Sequence, residues 1–284
     1  MVKKMVFAVM AVIIIWGCSK STDKLIEDLH SNNYRIRQEA AVTLMSRRKD
    51  KETVRNVITL LDDKDKRVAY IATQILGSMA DTSAIRPLGR MVDNPNPDFR
   101  AKACWSLGSI GHEAALPYLV KALDDSAAEV RHSAITAIGY LYNYRPAANY
   151  IYKMFRDEAD SIRAAAVAAH YNFRNVKGSG VRAADLAIAL TDRSDLVRYV
   201  TVQALGGGYP DTTVAGDLLI DGLRDENKDV RLEAIISIQK LKYAKAVSSL
   251  KEMYDTATVD EEYAISDAIK AITGETYPPS FQGN

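Results

Sequence analysis

The chain is short of the residues that mark several function classes. Two cysteines in 284 residues cannot build a disulfide-stapled scaffold. Eight prolines and fifteen glycines are too few for a loop-rich all-β chain, whose many turns demand both. An excess of one charge is missing too. Lys and Arg number 37 against 36 Asp and Glu, so no global field draws the protein to nucleic acid, and no such partner is expected. No apolar run reaches the ~20 residues a membrane-spanning helix needs. There is no Gly-x-Ser-x-Gly, P-loop, His-Glu-x-x-His or Cys-x-x-Cys motif, and each of those carries a recognisable chemistry. What is present is an ordinary globular balance, 48% apolar and 26% charged, which excludes a disordered or collagen-like chain.

The first residues are a different material. Lys3 and Lys4 precede an uncharged apolar run from Met5 to Trp16, followed by Gly17 and Cys18. A short cationic start and a run of about 12 apolar residues read as the core of an export signal. The ending Ile15-Trp16-Gly17-Cys18 resembles a bacterial lipobox, although Trp16 stands where that pattern usually has a small residue. The resemblance implies a signal peptide over 1–17, cleavage before Cys18, palmitate or a similar lipid at that cysteine, and a lipid-anchored protein of the bacterial cell envelope. Residues 18–24 then form a polar tether. A buried first helix or an uncleaved anchor are the alternatives, and neither accounts for a cysteine at that boundary.

The rest of the chain repeats itself, and fixed periods are the signature of repeat architectures. An apolar–Arg–x–x–Ala pattern occurs as Ile36-Arg37…Ala40, Phe99-Arg100…Ala103, Val130-Arg131…Ala134, Ile162-Arg163…Ala166 and Val230-Arg231…Ala234. Weaker copies start at Val68, Val197 and Ala264, and successive copies are 31 to 35 residues apart. Each unit reads as two helices. The first carries apolar residues at helical spacing, as in Val130, Ala134 and Ile138, and Gly77, Gly108, Gly139 and Gly206 are expected to end it. The second carries a stripe such as Leu116, Leu119, Val120 and Leu123. Two helices cannot bury both faces alone, so neighbouring units must stack.

Two further ladders keep this phase. Asp63, Asn94, Asp125, Asp157, Asp192 and Asp225 stand five residues before the apolar position, where an acid suits a helix N-cap. Arg37, Arg100, Arg131, Arg163, Arg198 and Arg231 recur on one face. They read either as an anion-binding stripe or as an Asp–Arg ladder that ties unit to unit, and the matching period favours the ladder.

The segment Glu129-Val130-Arg131-His132-Ser133-Ala134-Ile135-Thr136-Ala137-Ile138-Gly139 resembles the HEAT-like repeat of the phycobilin-lyase type, over about residues 25–275. The resemblance implies an all-α fold, an α-solenoid superhelix of about eight helix pairs, with 276–284 as a C-terminal tail. Such solenoids host binding proteins, lyase subunits and a metal enzyme, deoxyhypusine hydroxylase. The iron ligands of that enzyme are His-Glu pairs just after the apolar–Arg positions. Only His132 matches here, without its Glu, and His112-Glu113 falls in a turn. The four histidines lie in different repeats without ligand spacing. The expectation is therefore no enzyme, no cofactor and no metal. Cys104 sits in an apolar helical pattern and reads as a small core residue. His170 occupies a position that is Leu or Ile in other repeats and reads as a hydrogen-bonded core histidine or a pocket residue.

Departures from the repeat mark where a partner would bind. Aromatic residues crowd 140–173. Phe155 and Tyr152 align with the stripe positions Leu123 and Val120, whereas Tyr142, Tyr144 and Tyr150 are candidates for exposure, and tyrosine is enriched at binding hot spots. Arg86, Arg90, Lys121 and Lys153 share a face of the second helices, which later carries Asp217 and Asp221. The loop 175–180 lengthens the fifth unit. The function expected is a membrane-tethered, non-enzymatic scaffold that binds a protein partner. The rival is a HEAT-like enzyme subunit related to phycobilin lyases.

Overall fold

The computed structural model describes residues 20–278. Cys18, the apolar run before it and residues 279–284 of the expected tail lie outside the described residues. Among the described residues there are sixteen α-helices and no strand. First helices, which carry the apolar–Arg pair or its weaker copy, are α2 (Tyr34–Ser46), α4 (Lys66–Met79), α6 (Pro97–Ile110), α8 (Ala128–Tyr140), α10 (Asp160–Asn172), α12 (Asp195–Gly206), α14 (Lys228–Leu241) and α16 (Val259–Thr273). Second helices are α1 (Thr22–Leu29), α3 (Lys51–Thr59), α5 (Ile85–Met91), α7 (Leu116–Ala122), α9 (Ile151–Met154), α11 (Ala187–Leu190), α13 (Thr212–Gly222) and α15 (Val247–Tyr254). The architecture is an α-solenoid, and its phase begins on a second helix, α1, with α16 the last first helix. None of the described helices is long and apolar enough to cross a membrane.

The helices form two compact units, Met1–Leu141 and Tyr142–Asn284. In the first unit α2, α4, α6 and α8 pack side by side in order, and α1, α3, α5 and α7 lie against them. In the second, α10, α12, α14 and α16 do the same beside α9, α11, α13 and α15. The repeated apolar and alanine positions make the core: Val68, Val130, Ile162 and Val230, with Ala72, Ala103, Ala134, Ala166 and Ala234, are all fully buried. Each buried branched side chain removes enough apolar area to stabilise the fold by roughly 1.5–3 kcal/mol.

Two expectations about helix ends are corrected. Asn33, Asp65, Asn96 and Asn227 are the N-caps, each accepting the N–H two residues on. The acids expected as caps sit two residues earlier. Asp125, Asp157, Asp192 and Asp225 accept the N–H of Ala127, Ala159, Ser194 and Asn227 at 2.8 to 3.0 Å. They close the turn before the helix and keep lone pairs for a neighbour.

Of the four glycines only Gly206 ends its helix. Gly77 and Gly108 lie inside the last turn, and the left-handed terminators are Ala80 and Gly111. Gly139 is followed by Tyr140 within α8, and Gly206 is the last residue of α12. Glycine is needed there because consecutive first helices nearly touch. A Cβ on Gly77 would stand 2.8 Å from the Ser106 Cα, and one on Gly108 would stand 2.6 Å from the Ala137 Cβ. A Cβ on Gly206 would collide with Ser237.

Candidate interaction surface

The repeat first decides which charges are already engaged. Arg100 Nε and Nη2 donate to Asp125 at 2.6 and 2.7 Å, and its Nη1 donates to the Asn94 carbonyl at 2.9 Å. Arg163 does the same to Asp192, at 2.7 Å on both oxygens, and to the Asp157 carbonyl at 2.8 Å. Arg198 holds Asp225 at 2.7 and 2.9 Å and the Asp192 carbonyl at 2.9 Å. Arg131 donates to the Asp125 carbonyl at 2.9 Å. Asp125, Asp192 and Asp225 are thus each held at the carboxylate by the arginine before and at the carbonyl by the arginine after. Arg231 departs from the pattern, donating to Glu261 at 2.8 Å. Glu261 belongs to a capping box with Thr258 inside the first turn of α16, so the acid falls outside the turn where the period places the others.

These bidentate pairs are the strong form of charge-assisted hydrogen bond. The Arg100 hydrogen bonds hold the Asp125 carboxyl below the usual carboxylate range. Burial acts to raise Asp192, but the bonds from Arg163 and the Ser194 backbone outweigh it and lower its pKa. A phosphate approaching Arg100, Arg163 or Arg198 has to displace a carboxylate.

His170 is fully buried. Its Nδ1 is 2.9 Å from the Tyr209 hydroxyl and its Nε2 is 3.4 Å from Asp185. Burial pushes the imidazole down to about 4 and raises the Tyr209 hydroxyl well above its ordinary value. At neutral pH Tyr209 therefore donates to Nδ1, and Nε2–H faces Asp185. Asp185 also accepts from the Tyr152 hydroxyl at 3.1 Å and the Arg182 backbone at 2.7 Å. Tyr209 is 2% exposed, so this arrangement fastens the lengthened fifth repeat from inside. Asp185 and Tyr209 were not anticipated. They follow the lengthening loop 175–180 and the glycine run 206–208, outside the repeated pattern.

The candidate partner-binding residues divide between the units. Arg86, Arg90 and Lys121 belong to the first, on α5 and α7. All three are exposed, and Lys121 is paired with Asp93 at 2.5 Å. Tyr142, Tyr144, Tyr150 and Lys153 belong to the second. Tyr142 is 45% and Tyr150 38% exposed, Lys153 is exposed and Tyr144 half-buried. Tyr152, aligned by sequence with a stripe position, is 37% exposed, and its hydroxyl turns to Asp185. Among the described residues no group of three or more His, Cys, Asp or Glu is placed to hold a metal ion.

Comparison with known families matches the chain to HEAT repeats over residues 22–95, 88–170 and 183–272. Against the curated proteins no significant match is found. Among solved structures, the Escherichia coli protein YibA is 19% identical with a TM-score of 0.62, over 93% of this chain and 97% of that one. The CpcE–CpcF complex of phycocyanin lyase from Nostoc sp. is 18% identical with a TM-score of 0.47, over 89% and 95%. Human deoxyhypusine hydroxylase is 20% identical with a TM-score of 0.41, over 89% and 96%. At these identities the likeness is one of fold. The expectation that the chain is no enzyme is corrected all the same: a fold does not fix a function, so neither the repeat nor the missing motifs exclude catalysis.

Proposed function

We propose a partner-binding role for this protein, which belongs to the HEAT-repeat family. It is held at a bacterial envelope membrane through lipid on Cys18 and engages a protein partner through the tyrosine-rich surface at the start of its second unit. The observation that carries this reading is the exposure of Tyr142 and Tyr150 together with Lys153 within about a dozen residues. Most large rings of a stable repeat are spent on packing. Rings left in solvent offer contact area with a polar tip, and adjacent lysine steers an acidic partner.

The experiment is affinity capture from membranes with wild type and the double variant Tyr142→Ala with Tyr150→Ala. Capture should fall, at about 1–2 kcal/mol or more per central ring, with the melting temperature unchanged. Lost stability with intact capture would show that the rings serve packing. The tether is tested separately: palmitate labelling should be present in wild type and lost in Cys18→Ser.

A further inference from the structure

A groove between α12 and α14 of the second unit holds a carboxylate that is poorly satisfied. It encloses about 490 Å³. Leu196, Tyr199, Leu232 and Ile236 supply apolar lining, and Asp195, Asp229 and Glu233 supply the charge. No Lys or Arg side chain lines it. The Glu233 side chain is only 10% exposed, yet its three neighbours are distant. Tyr199 Oη and Lys240 Nζ stand at 3.4 Å and Ser237 Oγ at 3.5 Å, the outer limit of hydrogen bonding. The ladder carboxylates of the same chain are held at 2.6 to 2.9 Å. Of the nearby cations, Lys228 turns to Asp260 at 2.6 Å, and the half-exposed Lys240 reaches Glu233 only by its long 3.4 Å salt bridge. Asp195 accepts from Asn227 at 2.9 Å.

We propose that this groove receives an arginine or lysine side chain of a partner polypeptide. Three acids against the one long contact from Lys240 repel anions, and they do not converge closely enough for a metal ion. A long basic side chain fits both halves of the lining. Its methylene stem covers Leu196 and Leu232, as such stems do on apolar surface. Its head brings Glu233 the short, charge-assisted bonds it lacks, beside the face of Tyr199. The site lies on first helices and depends neither on the lipid anchor nor on the tyrosines at 142–152.

Isothermal titration of the full chain with acetyl-Leu-Arg-Leu-Arg-amide tests this, against the same peptide with citrulline, the neutral isostere of arginine. The arginine peptide should bind about tenfold tighter or better, and Glu233→Gln and Asp229→Asn should each remove about fivefold or more, since both weaken a charge-assisted contact. Equal binding of the citrulline peptide, no binding of the arginine peptide, or indifference to both substitutions overturns the proposal. Spermidine binding as tightly as the peptide also overturns it, assigning the groove to free polyamines. Should Glu233→Gln fail to fold, Asp229→Asn, at the exposed rim, carries the test.

Discussion

Arg163 and Asp192 show how much one pair of side chains contributes here. Their side chains are 6% and 11% exposed, so neither charge has water to fall back on. Arg163→Ala leaves Asp192 buried without its counter-charge, and breaking such a pair costs about 3–5 kcal/mol. The urea midpoint should drop accordingly, and a loss below about 1 kcal/mol would place this pair with ordinary surface salt bridges. The same carboxylates give the fold an acid limit. Asp125, Asp192 and Glu261 all have folded pKa values below their ordinary ones. The unfolded chain therefore takes up protons first as pH falls. Their contribution is complete above the ordinary carboxylate range and is lost below about pH 4 as the folded values are crossed. Melting temperature followed from pH 7 to pH 3 should fall in that window, and less steeply in Arg163→Ala.

Along a helix, glycine and alanine have effects opposite to their intrinsic propensities. Ala normally gains about 1 kcal/mol over Gly inside a helix. In α6, however, a Cβ at position 108 meets the Ala137 Cβ of α8 at 2.6 Å. Gly108→Ala forces the two first helices apart and should destabilise by about 1–3 kcal/mol, the cost of overpacking. The converse holds at the end of α4, where Ala80 is left-handed with φ 53°. A side chain there costs roughly 1–2 kcal/mol, so Ala80→Gly should raise the melting temperature. A pair of thermal melts decides both: a higher melting temperature in Gly108→Ala would refute the close-approach account, and a lower one in Ala80→Gly would refute strain at position 80.

An array of repeats distributes its stability between neighbours, and damage in one place should stay near it. Ala134 and Ala234 are fully buried at equivalent positions, in α8 of the first unit and α14 of the second. Ala134→Arg or Ala234→Arg inserts a charge between helices and should cost about 3–5 kcal/mol. Hydrogen exchange should then rise most in the substituted unit, within 20–141 for the first variant and 142–278 for the second. Uniform loss of protection across both ranges in either variant would show a single cooperative body.

Much of this architecture is legible in the sequence period. A period of 31 to 35 residues puts equivalent residues at equivalent places, so the two kinds of helix, the buried Val and Ala positions and the meeting of Arg100 with Asp125 could be read from the period. The period also favours ladder over anion stripe, while the division of each guanidinium between a carboxylate and a carbonyl depends on the packed turns. Gly77 and Gly108 looked like helix ends because glycine does end helices, and their use as contact points appears only when the next helix is in place. Arg231 meets Glu261 rather than an aspartate because the last repeat moves its acid into the helix. Asp185 and Tyr209 reach His170 from outside the repeated pattern, and the carboxylate of Glu233 meets only long contacts, from Tyr199 of α12 and from Ser237 and Lys240 of its own helix. Sequence pattern determines which side of a helix is apolar. Which residue of a neighbouring helix comes to lie against it depends on crossing distances and loop lengths, and those are settled only when the helices pack.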